Sequence, residues 1–115
     1  MPIVEEHEDP VDKTKRVVKF GTSPIMSTYL LAFVIGEYDH IEKLTKRGIP
    51  VRTYTAPGKT ERGQFSLDVA VRCLDFYEEY FKIEYPLPKL DLIAIADFEA
   101  GAMVGAYSSV LFYDR

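Results

Sequence analysis

Apolar residues recur at steps of three and four between residues 65 and 80, which is the spacing of one face of an α-helix. Thr60 can cap the start of such a helix, and Glu61 would lie near the positive end of its dipole. The pattern predicts an amphipathic helix of about five to six turns over residues 60–82. The stripe expected in the core consists of Phe65, Val69, Cys73, Phe76 and Tyr80, widened by Ala70, Leu74, Tyr77 and Phe81.

Three segments that precede this helix have the composition of β-strands. Residues 16–20 are β-branched and aromatic, and residues 49–55 alternate between the two sides of a strand. Residues 29–35 form a continuous apolar run. A run of that kind is typical of a strand buried on both faces.

Two further strands are predicted after the helix. Pro86 and Pro88 end the helix and force an extended approach, because a proline disfavours helical geometry in its predecessor. Residues 90–96 then form an apolar strand, and residues 108–113 are β-branched and aromatic enough for a last one. An unpaired apolar strand would promote aggregation, so we expect the last strand to pair with residues 90–96. The fold class expected is α+β.

Composition limits the classes of function. A chain of 115 residues with 47% apolar and 28% charged residues is typical of one small soluble domain. Its net charge of -4 and its scattered basic residues argue against nucleic acid or an anionic membrane as a partner. The longest apolar run is far shorter than the roughly 20 residues of a membrane span. A single cysteine cannot form an internal disulfide. No N-terminal stretch combines a charged start with a continuous apolar core, so the compartment expected is the cytosol.

Residues 1–15 are polar and acidic, and Pro2 and Pro10 interrupt them, so a loose lead-in is expected. Several carboxylates surround His7. Metal binding is one interpretation of this cluster, but it needs ligands held in fixed geometry. A solvated run of charges near a terminus is the commoner explanation.

The segment between the predicted helix and the predicted last strand carries a specific resemblance. Tyr85-Pro86-Leu87-Pro88-Lys89, Asp91-Leu92-Ile93-Ala94-Ile95, and Asp97-Phe98 running into Gly101-Ala102-Met103 resemble the segment that leads into the G-A-M-E-N motif of zinc aminopeptidases of the puromycin-sensitive type. Met26-Ser27-Thr28-Tyr29-Leu30, Ala32-Phe33, Gly36-Glu37-Tyr38, Val51-Arg52 and Tyr54-Thr55 resemble the same family. The resemblance covers most of residues 16–103.

The resemblance implies a fold and a division of the chain. Residues 16–56 resemble the end of a β-rich N-terminal domain, and residues 57–103 resemble the helix-strand start of a thermolysin-like catalytic domain that is incomplete here. Residues 1–15 form the lead-in, and residues 104–115 form a tail that departs from the family.

The resemblance also implies a substrate-binding role for Gly101, Ala102 and Met103. In the family the backbone of this loop lies alongside the substrate as an extended strand, and the Glu of the motif binds the α-amine of the substrate. Val104 stands at the position of that Glu, so the charge-assisted hydrogen bond is lost. Gly101 is explained equally well as a strand terminator. The nearest carboxylates, Asp97 and Glu99, could attract an amine, although solvated acidic pairs are commoner.

No catalytic residue and no metal ligand is predicted in this chain. The family holds zinc with H-E-x-x-H, in which two histidines one helical turn apart face the ion. The only histidines here are His7 and His40, so no zinc site can be built as the family builds it. Ser108 and Ser109 lack a recognisable nucleophile elbow, and Cys73 lies in the predicted core. No cofactor is expected in this chain, although complete relatives use zinc.

Two functional hypotheses follow. In the first, the chain is a truncated member of the zinc aminopeptidases, whose complete relatives remove N-terminal residues from peptides, and it is inactive alone. In the second, it is a noncatalytic protein that binds peptides or a full-length aminopeptidase through the edge of a sheet.

Overall fold

The computed structural model describes residues 1–95, 102–104 and 109–111. The elements, in chain order, are β1 (Ile3–Glu8), β2 (Arg16–Phe20), a 3-10 turn (Thr28–Leu30), β3 (Asp39–Leu44), β4 (Pro50–Thr55), α1 (Thr60–Phe81), β5 (Leu90–Ile93), β6 (Ala102–Val104) and β7 (Ser109–Leu111). The α+β class is confirmed. Among the described residues, no helix combines the length and the apolar character that crossing a bilayer requires.

β1 and β2 form a two-stranded antiparallel sheet. The expectation that residues 1–15 lack regular structure is therefore wrong over β1. The loop between the strands explains why they can pair, because the Asp9 carboxylate accepts hydrogen bonds from the backbone N–H groups of Val11 and Asp12, at 2.8 and 3.0 Å. Asx turns of this kind reverse the chain without help from glycine.

The other five strands form one sheet in the order β3-β4-β5-β7-β6. β3 and β4 are antiparallel and are joined by a tight turn in which Gly48 has a φ of +82°, the left-handed region that glycine adopts without strain. β5 is parallel to both β4 and β7, and β6 is antiparallel to β7. A parallel pair needs a crossover, and α1 supplies the one between β4 and β5. The strands predicted at residues 16–20, 49–55 and 90–96 are confirmed with small changes of boundary.

The predicted division at residues 56 and 57 falls between β4 and α1. The five-stranded sheet contains strands from both sides of that point. The division into domains stays a prediction.

The apolar run at residues 29–35 is not a strand, contrary to expectation. It begins in the 3-10 turn and continues without regular structure, with Ile35 95% exposed and Tyr29, Leu31 and Phe33 also exposed. A strand buried on both faces requires layers on both sides of its sheet. Within the described residues, no strand pairs with this run.

Helix α1 begins and ends close to the predicted positions, but with different caps. Lys59, not Thr60, occupies the N-cap position, and its side chain makes no capping hydrogen bond. Glu61 lies in the first turn as expected. Lys82 terminates the helix in the left-handed conformation, with φ of +56°, before the chain reaches Pro86.

The core lies between α1 and β4, but α1 does not bury the predicted stripe. Its buried residues are Gly63, Ser66, Leu67 and Val71. Leu67 and Val71 form a cluster with Val51 of β4, and Ile41, Ala70, Leu74 and Leu90 pack around them. The prediction that Phe65, Val69, Cys73, Phe76 and Tyr80 are buried is wrong, because all five are exposed. Both stripes satisfy the helical period, and the stripe with smaller side chains is the one that contacts the sheet.

Candidate peptide-binding edge strand

β6 is the outer strand of the five-stranded sheet. It pairs with β7 in the register Ala102↔Leu111, Met103↔Val110 and Val104↔Ser109. Ala102 and Met103, two of the three residues predicted to bind substrate, therefore lie in an extended strand together with Val104. Gly101 falls outside the described residues, as do Asp97 and Glu99.

The predicted pairing of the tail with residues 90–96 is confirmed for the backbone, because β7 pairs with β5 through Leu92↔Ser109 and Ile93↔Val110. In the second hypothesis the tail could complete a sheet edge or pair with the edge of a partner. The structure places β7 inside the sheet, between β5 and β6, so β6 occupies the edge. The predicted pairing also requires Leu111 or Phe112 to be buried, and these side chains lie outside the part of the chain that the structure describes.

The two edges of the sheet differ in charge. β3, at one edge, carries Asp39, Glu42 and Lys43, and charges on an edge strand discourage pairing with another chain. β6, at the other edge, has the sequence Ala-Met-Val and no charged residue. Within the described part of the chain, no strand lies on the outer side of β6. An extended peptide could therefore pair with β6 through main-chain hydrogen bonds.

A polar cluster lies on the sheet face opposite α1. Asp91 of β5 is only 6% exposed, and its Oδ2 accepts a hydrogen bond from Lys89 Nζ. Its Oδ1 has no hydrogen-bond partner among the described residues. The Tyr85 hydroxyl donates to the Lys89 carbonyl at 3.3 Å. Burial, helped by the charge of Asp91, raises the pKa of Tyr85 to about 12.

The same sheet face carries an ion pair between neighbouring strands. Arg52 Nε of β4 donates to Glu42 Oε2 of β3 at 2.6 Å, and this hydrogen bond is the main reason that the pKa of Arg52 is raised. Beside them the rings of His40 and Tyr54 lie 5.1 Å apart. Lys89 and Arg52 thus pair with two of the carboxylates on this face, Asp91 and Glu42.

Sequence reasoning did not identify Asp91 as a special residue. One signal was available, because Asp91 is a single acidic residue inside an otherwise apolar strand. A carboxylate in such a position is either paired or neutralised. Its partner, Lys89, lies on the same side of the strand two residues earlier.

Comparison with known proteins identifies the family. The model of the Peptidase family M1 domain matches residues 65–112, which include most of α1 and strands β5 to β7. The chain is 56% identical over 92 residues to the puromycin-sensitive aminopeptidase of Caenorhabditis elegans, a match that covers 80% of this chain and 10% of that protein. It is 50% identical over 120 residues to aminopeptidase M1 of Arabidopsis thaliana, covering 100% of this chain and 13% of the relative. The chain belongs to the M1 peptidase family.

Human endoplasmic reticulum aminopeptidase 1 is a further relative, 50% identical over 84 residues, which are 73% of this chain and 9% of the relative. The M1 chain therefore spans about a tenth of the length of the relatives that it matches. The resemblance to zinc aminopeptidases of the puromycin-sensitive type is confirmed.

The donor groups of this M1 chain do not fit the zinc ion that the family uses. Among residues 1–95, 102–104 and 109–111, no three His, Cys, Asp or Glu side chains are grouped as metal ligands. His7 lies in β1, 3.4 Å from the Glu5 carboxylate, whereas His40 lies in β3 beside Tyr54. Two single histidines on separate sheets cannot supply the paired imidazoles of a zinc site.

Proposed function

We propose that this M1 chain supplies the substrate-binding edge strand of a peptidase domain, and that alone it binds extended peptides without hydrolysing them. The observation that carries the proposal is the position of Ala102 and Met103 in β6, at the uncharged edge of the five-stranded sheet. An edge strand presents unpaired N–H and C=O groups, to which a peptide backbone can add as a further strand.

Val104 determines the expected selectivity. The family motif has a Glu at this position, which binds the α-amine of the substrate. Valine offers no acceptor, so the chain should bind a peptide with a free N-terminus no more tightly than one with an acetylated N-terminus. Main-chain pairing alone does not distinguish the two.

The lack of hydrolysis follows from the sequence. Hydrolysis by the family requires H-E-x-x-H, and the two histidines of this chain are 33 residues apart, at positions 7 and 40. A zinc ion bound by other residues of an M1 protein would supply an activated water to the peptide that β6 holds. The residues described here would bind and orient that peptide.

The cytosol is the proposed compartment. The single cysteine supports it, because secreted domains of this size commonly rely on disulfides. Fractionation of cells that express the tagged chain tests this assignment, and recovery in a membrane-bound compartment would contradict it.

The selectivity test compares one extended peptide in its free and N-acetylated forms by isothermal titration calorimetry. The unmodified chain should bind both forms equally. Val104→Glu should prefer the free amine by about tenfold, because a hydrogen bond to a charged group contributes about 1.5–3 kcal/mol when it is well formed. Val104→Gln is the matched uncharged control and should show no preference. Equal binding of both forms by Val104→Glu would contradict the proposed position of the peptide.

A second test separates edge binding from stability. Adjacent residues of a strand direct their N–H groups to opposite sides. Of Ala102→Pro and Met103→Pro, one should therefore remove an outward donor and weaken peptide binding with little change in thermal unfolding. The other should break the ladder to β7 and lower stability. Unchanged peptide affinity in both variants would show that the peptide does not bind β6.

Catalysis is tested with an aminoacyl reporter substrate. Neither the unmodified chain nor Val104→Glu should release the reporter, because the change restores the amine anchor and not the metal site. Turnover that persists through repurification and stops on addition of a chelator would overturn the proposal.

A further inference from the structure

Helix α1 has a second apolar face, which is exposed and extends from the side away from the sheet to the C-terminal end of the helix. This aromatic face consists of Phe65, Val69, Phe76, Tyr77, Tyr80 and Phe81. Phe65 is 79% exposed and Tyr80 is 68% exposed, and the other four are exposed as well. No charged residue belongs to the face, whereas Arg72 and Glu79 lie on the same helix outside it.

Four of the five rings of the face, those of Phe76, Tyr77, Tyr80 and Phe81, form a continuous layer. Phe76 stacks on Tyr80 with ring centroids 5.7 Å apart, and Tyr77 stacks on Phe81 at 5.8 Å. Edge contacts at 5.6 and 5.0 Å join these two pairs to each other. The rings are therefore ordered by their neighbours on the helix, and a partner would lose little side-chain entropy in covering them.

The size of the face argues for a macromolecular partner. A buried aromatic side chain covers roughly 150–250 Å², and these five aromatic residues are each more than half exposed. The face therefore offers roughly 600 Å² of apolar surface. That area is at the upper end of the largest apolar patch on an ordinary monomer.

We propose that the aromatic face of α1 packs against the remainder of an M1 peptidase domain. The M1 model begins to match at Phe65, the first residue of the face. The aligned residues are 9–13% of each relative, so in those proteins many times more M1 polypeptide is joined to the same helix. In those proteins the remainder of the domain is covalently joined to the helix and is present at a high effective concentration, which favours it as the partner over a second copy. This packing does not depend on peptide binding by β6.

The test places the same substitutions in two settings. In the chain alone the aromatic face has no partner, so Phe76→Glu and Tyr80→Glu should leave the helical circular dichroism and the thermal midpoint unchanged. In a chimera, this whole chain replaces the aligned residues of Arabidopsis aminopeptidase M1. There, each substitution should lower the thermal midpoint by about 5 °C or more, because it buries an unpaired charge. Val11→Glu, at an exposed loop position outside the face, should have no effect in either setting.

Each of the following outcomes would overturn the proposal that the aromatic face packs against the remainder of an M1 domain. Unfolding of the isolated chain by Phe76→Glu would show that the face belongs to the core of this chain. Concentration-dependent dimers in sedimentation velocity that Tyr80→Glu abolishes would assign the face to a second copy. A chimera that fails to fold with Phe76 and Tyr80 intact, or that tolerates both substitutions, would show that the face does not fit an M1 domain. Peptide selectivity is measured on the Val104 variants and packing of the aromatic face on the Phe76 and Tyr80 variants. Failure of one proposal can therefore be distinguished from failure of the other.

Discussion

Gly63 controls how closely α1 approaches the sheet. A Cβ atom built at this position would lie 2.8 Å from Thr53 Cγ2 and 3.2 Å from Thr55 Cγ2. Glycine in a helix interior costs up to about 1 kcal/mol relative to alanine, so the close packing must compensate for that cost. The buried residues of α1 continue from this contact through Ser66, Leu67 and Val71.

Gly63→Ala should therefore destabilise the chain in spite of its better helix propensity. Overpacking a core contact typically costs about 1–3 kcal/mol, and the propensity gain offsets part of it. We expect the free energy of unfolding, measured by urea denaturation, to fall by about 1–2 kcal/mol.

The control is Thr53→Ser, which removes the Cγ2 atom that the new methyl group would meet. In the Gly63→Ala background this second change should recover part of the loss, with a coupling above about 0.5 kcal/mol. Strictly additive effects would show that the cost arises elsewhere.

Tyr85 should make stability depend on pH in the alkaline range. Its pKa is raised from 10.0 to about 12, chiefly by burial. The neutral phenol is thus favoured in the folded state, and the stabilisation is complete below pH 10 and is lost as the pH rises toward 12. The ultraviolet titration of the unmodified chain minus that of Tyr85→Phe should show one step near pH 12. A step near pH 10 would contradict the burial of this hydroxyl.

At the residue scale, the sequence predicted which reactive side chains are present better than it predicted which side chains are buried. The histidine count showed at once that the family zinc motif is missing. The exposure of Cys73 and the burial of Asp91 were not predicted, because each depends on which side of an element contacts its neighbour. Residue type alone does not contain that information.

At the scale of elements, Glu78 connects α1 to the segments on either side of it. One of its carboxylate oxygens accepts the backbone N–H of Tyr85 at 2.6 Å and also contacts Arg47 in the turn between β3 and β4. The nearby Asp75 accepts the backbone N–H of Lys46 at 3.0 Å. The hydrogen bond from Tyr85, followed by the interaction with Arg47, lowers the pKa of Glu78 below its ordinary value of 4.5.

Glu78→Gln should accordingly destabilise the chain at neutral pH and not in acid. A carboxylate whose folded pKa is lowered stabilises the fold above its ordinary pKa and loses this effect as the pH falls through the folded value. The thermal midpoints of Glu78→Gln and of the unmodified chain should differ at neutral pH. They should become equal once the pH is below the folded pKa of Glu78. Glu79→Gln, at the exposed neighbouring position, is the control and should have the same thermal midpoint as the unmodified chain. A difference that persists in acid would assign the effect of Glu78→Gln to packing.

The helix shows what periodicity can and cannot predict. The period over residues 60–82 identified α1 correctly, since both its stripes repeat at three and four residues. The stripe predicted to be buried was the one rich in aromatic residues, whereas the sheet contacts smaller residues. The run at residues 29–35 was misread for a related reason, because continuous apolar sequence predicts burial only when the covering layers are present.

At the scale of the whole molecule, β7 holds the sheet together at its outer end. It pairs with β5 on one side and with β6 on the other. The sequence predicted the first pairing correctly. It could not predict the second, because strand order within a sheet is set by the connections and not by the composition of any one strand.

Deletion of residues 104–115 should lower both stability and solubility. The truncation removes β7, so β6 loses its only described neighbour and the edge of β5 becomes exposed. We expect the thermal midpoint of unfolding to fall. We also expect the truncated protein to aggregate at a lower protein concentration, which light scattering during heating would detect.

A matched pair of proline variants locates the effect. Val110→Pro, in the inner strand, should cost far more stability than proline at the outward-facing position of β6, because proline is tolerated at edges and not between paired strands. Unchanged unfolding after the deletion would show that β7 contributes nothing to the fold.

The strand order also has a consequence during synthesis. β6 emerges from the ribosome before β7, yet it can join the sheet only after β7 is in place. Translation at roughly 5–20 residues per second needs about 1–4 s to produce residues 94–111. During that interval one edge of β5 is unpaired, and once residue 104 has been added the apolar strand β6 is unpaired as well. Aggregation or chaperone capture of the newborn chain should therefore be governed by elongation speed across this short stretch.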